Sequence, residues 1–166
     1  MFLDRIDRQV YVGFMRRCFE ESGREAPAVG VCEYLYDMFE GHTYYVHQTL
    51  HNMYAYYDPE VLVTEALVND AVDEIIQDKE HSFLTQLSLL NYTQKETLIA
   101  IAKDVEAVEV TSAAFVKRHS LQSPSAVQNA LRTLLNLQMV TYRQEGRTKV
   151  YSVSDRFLQM WIARKY

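Results

Sequence analysis

The sequence predicts a mainly α-helical protein in two parts. A helical bundle is expected over residues 1–80, and a winged helix-turn-helix domain with a two-stranded β wing over residues 81–166. Three observations carry this reading. Apolar residues recur at helical spacing through most of the first 80 positions. Further on, two short helical stretches are joined by the four-residue turn Ser120-Leu121-Gln122-Ser123, the helix-turn-helix pattern. Directly after them, strand-forming residues flank a turn containing Gly146.

The helices of the first part follow one another with few breaks. Residues 4–22 place Ile6, Val10, Phe14, Cys18 and Phe19 on one expected buried stripe, and Gly23 is the expected stop. Pro27 is expected in the first turn of a second helix. Val31, Leu35, Met38 and Phe39 form its stripe, and Gly41 ends it. A third helix is expected from about Tyr44 to Tyr57. Asp58-Pro59 then reads as a cap followed by Pro at the first helical position. It predicts a long fourth helix with Leu62, Ala66, Val72 and Ile76 on one face, ending near Lys79.

In the second part, Thr93-Gln94-Lys95-Glu96 has capping-box spacing with Thr93 as cap. Leu98, Ile101, Ala102 and Val105 follow. A short helix over Ser112–His119 turns Phe115 and Val116 inward. Ser123-Pro124 opens the next, whose buried face is Val127, Ala130, Leu131, Leu134 and Leu135. Val140, Tyr142, Val150, Tyr151 and Val153 are strand formers around Gln144-Glu145-Gly146-Arg147, which makes the wing. A last helix begins near Ser154-Asp155 with Phe157, Leu158, Trp161 and Ile162, and Trp161 is its expected anchor.

Composition narrows the function classes. With 166 residues, 48% hydrophobic and 23% charged, 5 Gly and 3 Pro, the chain is neither a disordered tail nor a collagen-like fibre. No run of about 18 apolar residues is present, so no membrane helix is expected. Asp4, Arg5, Asp7 and Arg8 would break the apolar core of a secretory signal. Cys18 and Cys32 make no disulfide framework, so a reduced, cytoplasmic chain is expected. The net charge of −5 conceals an asymmetry. Residues 1–80 hold 6 Lys and Arg against 16 Asp and Glu, a balance of −10. Residues 81–166 hold 11 against 6, a balance of +5, so the basic half is the one that could face phosphate.

Catalytic signatures are missing. The sequence has no glycine-rich loop with Lys and Ser/Thr, no Gly-x-Ser-x-Gly elbow and no Cys-x-x-Cys pair. His47 and His51 are four apart, but Gln48 stands where a zincin needs Glu, so they read as a polar helix face and no metal site is expected. Glu21/Glu25 and Asp70/Glu74 read as solvated carboxylates.

The candidate DNA-reading residues lie opposite the apolar stripe of the helix after the turn: Ser125, Gln128, Asn129, Arg132 and Thr133. Gln and Asn can bond adenine edges and Arg can bond guanine. Arg143, Arg147 and Lys149 in or beside the wing, with Lys117 and Arg118 before the turn, are the candidate phosphate contacts. The same residues also suit the exposed face of any surface helix. Arg132 is the only charge on that helix, so a winged helix that docks protein is the alternative. Tyr34, Tyr36, Tyr54, Tyr56 and Tyr57 read either as a docking surface or as half-buried packing residues.

Three strings carry a family resemblance: Gly41-His42-Thr43-Tyr44-Tyr45-Val46-His47-Gln48-Thr49-Leu50, Ser123 through Leu131, and Val153 through Ile162. In this order they resemble the C-terminal part of predicted archaeal and bacterial AAA-type ATPases of the STAND branch, from the helical lid through the winged helix. In that family a Gly-His-Pro-Tyr-Tyr string opens a lid helix against the nucleotide base. The resemblance implies that Gly41, His42 and Tyr44 lie on the adenine side of a bound nucleotide; Thr43 stands where Pro is usual. The family's phosphate loop and Mg-binding acid lie upstream of such a region. The resemblance therefore implies a fragment of a longer ATPase, or a descendant that lost the motor. ATP and Mg belong to the intact protein, and an upstream P-loop domain is the implied partner. The expected function is a non-catalytic regulatory module that couples nucleotide state to a DNA or protein partner. The alternatives are a stand-alone DNA-binding transcription regulator and a protein-interaction adaptor.

Overall fold

A computed structural model describes residues 6–166. The chain divides into two compact units, Met1–Asp78 and Lys79–Tyr166. Among the described residues, no helix is long and apolar enough to cross a membrane.

The first unit is helical. Helix α1 (Arg8–Glu21) starts at Asp7, whose Oδ1 accepts from the backbone N–H of Gln9 (2.9 Å) and Val10 (3.1 Å). Its buried face is Tyr11, Val12, Met15 and Phe19, not the expected Ile6–Val10–Phe14 row. Both sides of this helix are apolar, and spacing alone cannot choose between two apolar faces. Arg8 joins α1 to α2 (Val29–Met38): Nε and Nη2 bind the two carboxylate oxygens of Asp37 at 2.8 and 2.6 Å, and Nη1 binds Glu33 at 2.6 Å.

Pro27 lies outside α2, which starts after Ala28. Its carbonyl instead accepts from Arg16 Nε at 3.1 Å. Cys32 joins Leu35 on the buried side, where Val31 was expected. The helix ends as expected: Gly41 takes φ +73° and donates its N–H to the Tyr36 carbonyl at 2.9 Å. Helix α3 (Thr43–Tyr56) ends under Arg24, which donates to the carbonyls of Tyr54 (3.1 Å) and Tyr57 (3.3 Å). The Arg24 guanidinium also lies 4.8 Å from the Tyr54 ring centre.

Asp58-Pro59 does not start a helix. Asp58 Oδ1 accepts from Glu60 N–H (3.0 Å) and its carbonyl from Val61 N–H (3.0 Å), which closes a separate turn. Helix α4 (Glu65–Ser88) starts instead behind Thr64, whose hydroxyl accepts from Leu67 N–H at 3.2 Å. Leu62 and Ala66 are exposed, and the buried stripe is Val68, Ala71, Val72, Ile75 and Ile76. The helix passes the expected end at Lys79 because no Gly or Pro interrupts it and Phe83 and Leu87 continue the buried spacing.

The second unit is built on α5 (Tyr92–Asp104), where Thr97 to Ala102 are all buried. Its cap is Asn91, not Thr93. Asn91 and Gln94 exchange bonds at 3.0 Å each, an equally valid capping box two residues upstream. Val105 leaves the helix at φ +61°, exposed, and leads into β1 (Ala107–Val108), a strand too short to be legible in the sequence. Helices α6 (Ala113–Arg118) and α7 (Pro124–Asn136) follow, then β2 (Val140–Glu145) and β3 (Thr148–Val153). The sheet is antiparallel in the order β1-β3-β2, with Tyr142 opposite Tyr151 and Ala107 opposite Tyr151 on its other side. Helix α8 (Arg156–Lys165) is capped by Asp155. Trp161 anchors it as expected, 5.6 Å from the Phe83 ring and donating to Glu80 at 3.2 Å. The architecture is therefore mainly helical, with a small sheet at the C-terminal end.

Candidate nucleic-acid interface

The candidate surface is positioned by two serine caps. Ser112 Oγ accepts from Phe115 N–H (3.1 Å) and fixes the start of α6. Ser123 Oγ accepts from Ala126 N–H (3.2 Å) and fixes α7, with Pro124 in its first turn. Between the helices, Leu121 N–H closes onto the Val116 carbonyl at 2.9 Å while Ser120 takes φ +55°. Helix α7 then buries Val127, Ala130, Leu131 and Leu134. That rotation leaves Ser125, Gln128, Asn129 and Arg132 exposed and Thr133 half-buried. Arg132 Nη2 donates to Asn129 Oδ1 at 2.9 Å, so these two candidate readers are presented as a pair.

The wing turns at Gly146-Arg147, since Glu145 and Thr148 still pair. Gly146 takes φ +59° at the first position of this two-residue loop, where hairpins of this kind place glycine. Arg147 is thereby at the exposed tip. Lys149 extends its ammonium to 4.4 Å from the Tyr142 ring centre, and Tyr142 packs on Tyr151 at 5.6 Å.

Arg143 stands apart from the other wing cations. Its Nε donates to Glu145 and its Nη2 to Glu106, both at 2.8 Å. These two hydrogen bonds hold the guanidinium more firmly protonated than usual. They also offset its charge locally. Glu145, two residues along the same strand face, was a legible partner for Arg143; Glu106, 37 residues away, was not. Ahead of the turn, Lys117 is exposed, while Arg118 is paired with Asp104, which also binds His119 at 3.0 Å.

The candidates in the first unit are brought together in part. Gly41 is buried: a Cβ there would lie 2.5 Å from the Tyr36 hydroxyl oxygen, and that hydroxyl donates to the Ile6 carbonyl at 2.7 Å. His42 and Tyr44 are exposed at the start of α3, both edge-on to Tyr45 at 6.2 and 5.1 Å. Tyr45 in turn stacks on Phe39 at 5.4 Å. His47 and His51 are exposed, and among the described residues no three His, Cys, Asp or Glu side chains gather as a metal site. Of the five tyrosines weighed as a docking surface, only Tyr56 is exposed; Tyr34, Tyr36, Tyr54 and Tyr57 are half-buried.

Comparison with known families decides the second unit. A family model described as "Probable winged helix domain" matches residues 81–164, just over half of the chain. The chain belongs to this winged-helix family. The matched span contains α5 to α8 except the last residue of α8, and the whole three-stranded sheet. Among curated proteins, none matches the chain. In a winged-helix domain α7 is the second helix of the helix-turn-helix and β2–β3 is the wing.

Proposed function

We propose that the winged helix binds double-stranded DNA, with α7 as the reading helix and the wing as a phosphate clamp. One observation carries this reading: Val127, Ala130, Leu131 and Leu134 of the apolar stripe of α7 are buried in the core, Leu135 is half-buried, and the opposite row, Ser125, Gln128, Asn129 and Arg132, is polar and exposed. Amide groups both donate and accept, which suits an adenine edge, and Arg132 offers two parallel donors for guanine. Arg147, Lys149 and Lys117 supply phosphate contacts. With Arg143 already held by two carboxylates, about three phosphates are neutralised. The affinity is then modest and log K falls with log salt at a slope of about −3.

The test is fluorescence anisotropy of a labelled mixed-sequence duplex at low and moderate salt. Binding that weakens with salt, and roughly tenfold further in the double variant Arg132→Ala, Lys149→Ala, is the expected result. No binding at tens of micromolar protein and low salt overturns it, because non-specific binders fall within roughly 10⁻⁴–10⁻⁶ M.

A second reading is supported by α3. The chain would be the non-catalytic lid and winged helix of an AAA/STAND-type ATPase, coupling nucleotide bound by a preceding P-loop domain to DNA or protein binding. Gly41 must be glycine on steric grounds, and just beyond it His42 and Tyr44 are exposed beside Tyr45. Such a module rearranges only if it makes different contacts in the nucleotide-bound and empty states. Alone it turns over no ATP, and measurable hydrolysis by the isolated chain overturns this reading.

A further inference from the structure

The face of α1 that the core leaves uncovered is built to pair with itself. Ile6, at the start of the segment, and Val10 and Phe14 on α1 are 41%, 61% and 39% exposed. They recur every four residues, which is one side of a helix. Together with Tyr11, Arg17, Thr43 and His47 they line an open groove of about 430 Å³. Among the described residues no carboxylate lines it, although the surrounding unit is strongly acidic. The groove's cation, Arg17, is set for a negative partner.

Gly13 lies on the same exposed face, in the middle of α1. Glycine at a helix interior weakens the helix relative to alanine. Nothing among the described residues calls for it: a Cβ at Gly13 would meet none of their atoms within 4 Å. A missing Cβ on an exposed helix face is useful where a second backbone must come close.

We infer that this face is the two-fold interface of a homodimer, formed by α1 packing antiparallel against α1 of a second copy. The spacing is self-complementary. Val10 and Phe14 are placed symmetrically about position 12, and so are Asp7 and Arg17. One two-fold axis at that level sets Val10 against the partner copy's Phe14 and Asp7 against its Arg17, each twice, as an isologous contact requires. Gly13, one residue from that level on the flank of the same face, leaves an opening for a side chain of the second copy. A partner that merely offered apolar surface would account for the ridge, but not for the glycine or for the matched charges. The contact is small, so the dimer is weak and depends on concentration. This inference does not depend on the DNA reading.

Sedimentation equilibrium of the full chain, from about 1 µM to about 500 µM, tests it. The expected result is reversible dimerisation. Gly13→Gln is the decisive variant, because its two effects have opposite signs. A better helix former at an exposed site raises the thermal midpoint of the monomer, and the added side chain abolishes the dimer. Phe14→Ser is also monomeric. Arg17→Glu sets a second carboxylate against Asp7 and weakens association at least tenfold. Adding Asp7→Asn, which keeps a capping side chain, restores part of that loss. A chain monomeric throughout the range overturns the inference. So does a dimer indifferent to Gly13→Gln and Phe14→Ser.

Discussion

The two units solve the same problem differently. The second hides one helix, α5, and satisfies the side chains of its two buried polar residues, Thr97 and Gln159. Gln159, deep in the core, donates Nε2 to the Ala102 carbonyl at 2.9 Å, and Thr97 Oγ1 donates to the Thr93 carbonyl at 2.8 Å. The first unit packs tyrosine, methionine and phenylalanine, and leaves polar atoms stranded. Tyr11 Oη and Asn52 Oδ1 are buried without a hydrogen-bond partner. Burial pushes the Tyr11 hydroxyl up to about 12. A core that satisfies its polar groups specifies one arrangement. A core that tolerates stranded ones relies on shape.

The largest effect expected from this contrast is in the second unit. Leu98 is fully buried at the centre of α5. Leu98→Ala removes three buried carbons from a rigid site and costs about 2–5 kcal/mol. Trp161 is the only tryptophan and lies in the same unit, so its fluorescence in urea reports the loss directly. A midpoint that does not move breaks the claim that α5 is the centre of that core.

The next effect belongs to the first unit and is steric. Gly41→Ala puts a methyl 2.5 Å from the Tyr36 hydroxyl oxygen at a residue with φ +73°. Tyr36 must swing off the Ile6 carbonyl to make room. The expected cost is about 1–3 kcal/mol, seen as a lower thermal midpoint by far-UV circular dichroism. Tyr36→Phe relieves little, because the ring carbons crowd the site as well: the nearest is 2.6 Å away.

A paired substitution sharpens the contrast in polar satisfaction. Gln159→Leu removes a buried bonded donor and leaves the Ala102 carbonyl only its 3.4 Å bond from Val105 N–H, at a cost of about 0.5–1.5 kcal/mol. Tyr11→Phe removes a hydroxyl that bonds nothing, and is neutral or slightly stabilising. Urea denaturation of both variants under one set of conditions gives the comparison. If Tyr11→Phe proves the more damaging of the two, the contrast between the cores is wrong.

What was legible in the sequence follows the same divide. In the second unit most elements carry their own local chemistry: Ser123-Pro124 opens α7, Gly146 turns the wing, and Asp155 opens α8, while the two-residue β1 carries none. These signals need no tertiary information. The exceptions are instructive. Asn91-Tyr92-Thr93-Gln94 and Thr93-Gln94-Lys95-Glu96 have the same capping spacing, and the folded chain forms the first. The exposed polar row of α7 was legible from its apolar stripe, but the Glu106 clamp on Arg143 was not, because it joins residues far apart in the chain. In the first unit, α1 is apolar on two sides and the spacing selected the outer one. Asp58-Pro59 is a good helix start that a self-contained turn used instead, because the Asp58 side chain bonds Glu60 N–H locally.

The smallest effect concerns acid. Arg8 binds Asp37 through two parallel hydrogen bonds, and these, reinforced by its charge, hold the Asp37 carboxyl below its usual range. The folded chain then binds fewer protons at this site than the unfolded chain. The stabilisation is fully present above the ordinary carboxylate range and fades as pH falls through the lowered value. In the second unit Glu80 follows the same rule, held down by hydrogen bonds from Lys165 and Trp161. Both carboxylates are largely solvated, so each contributes little at neutral pH. The contrast lies in the readout. Asp37→Asn flattens the acid limb of the circular dichroism signal, which sums over all helices, while Glu80→Gln flattens the acid limb of Trp161 fluorescence, whose indole N–H is one of the donors. An Asp37→Asn variant with an unchanged acid limb means that the Arg8 fork joins α1 to α2 in geometry only, and that packing of Tyr11, Met15 and Phe19 holds α1 in place.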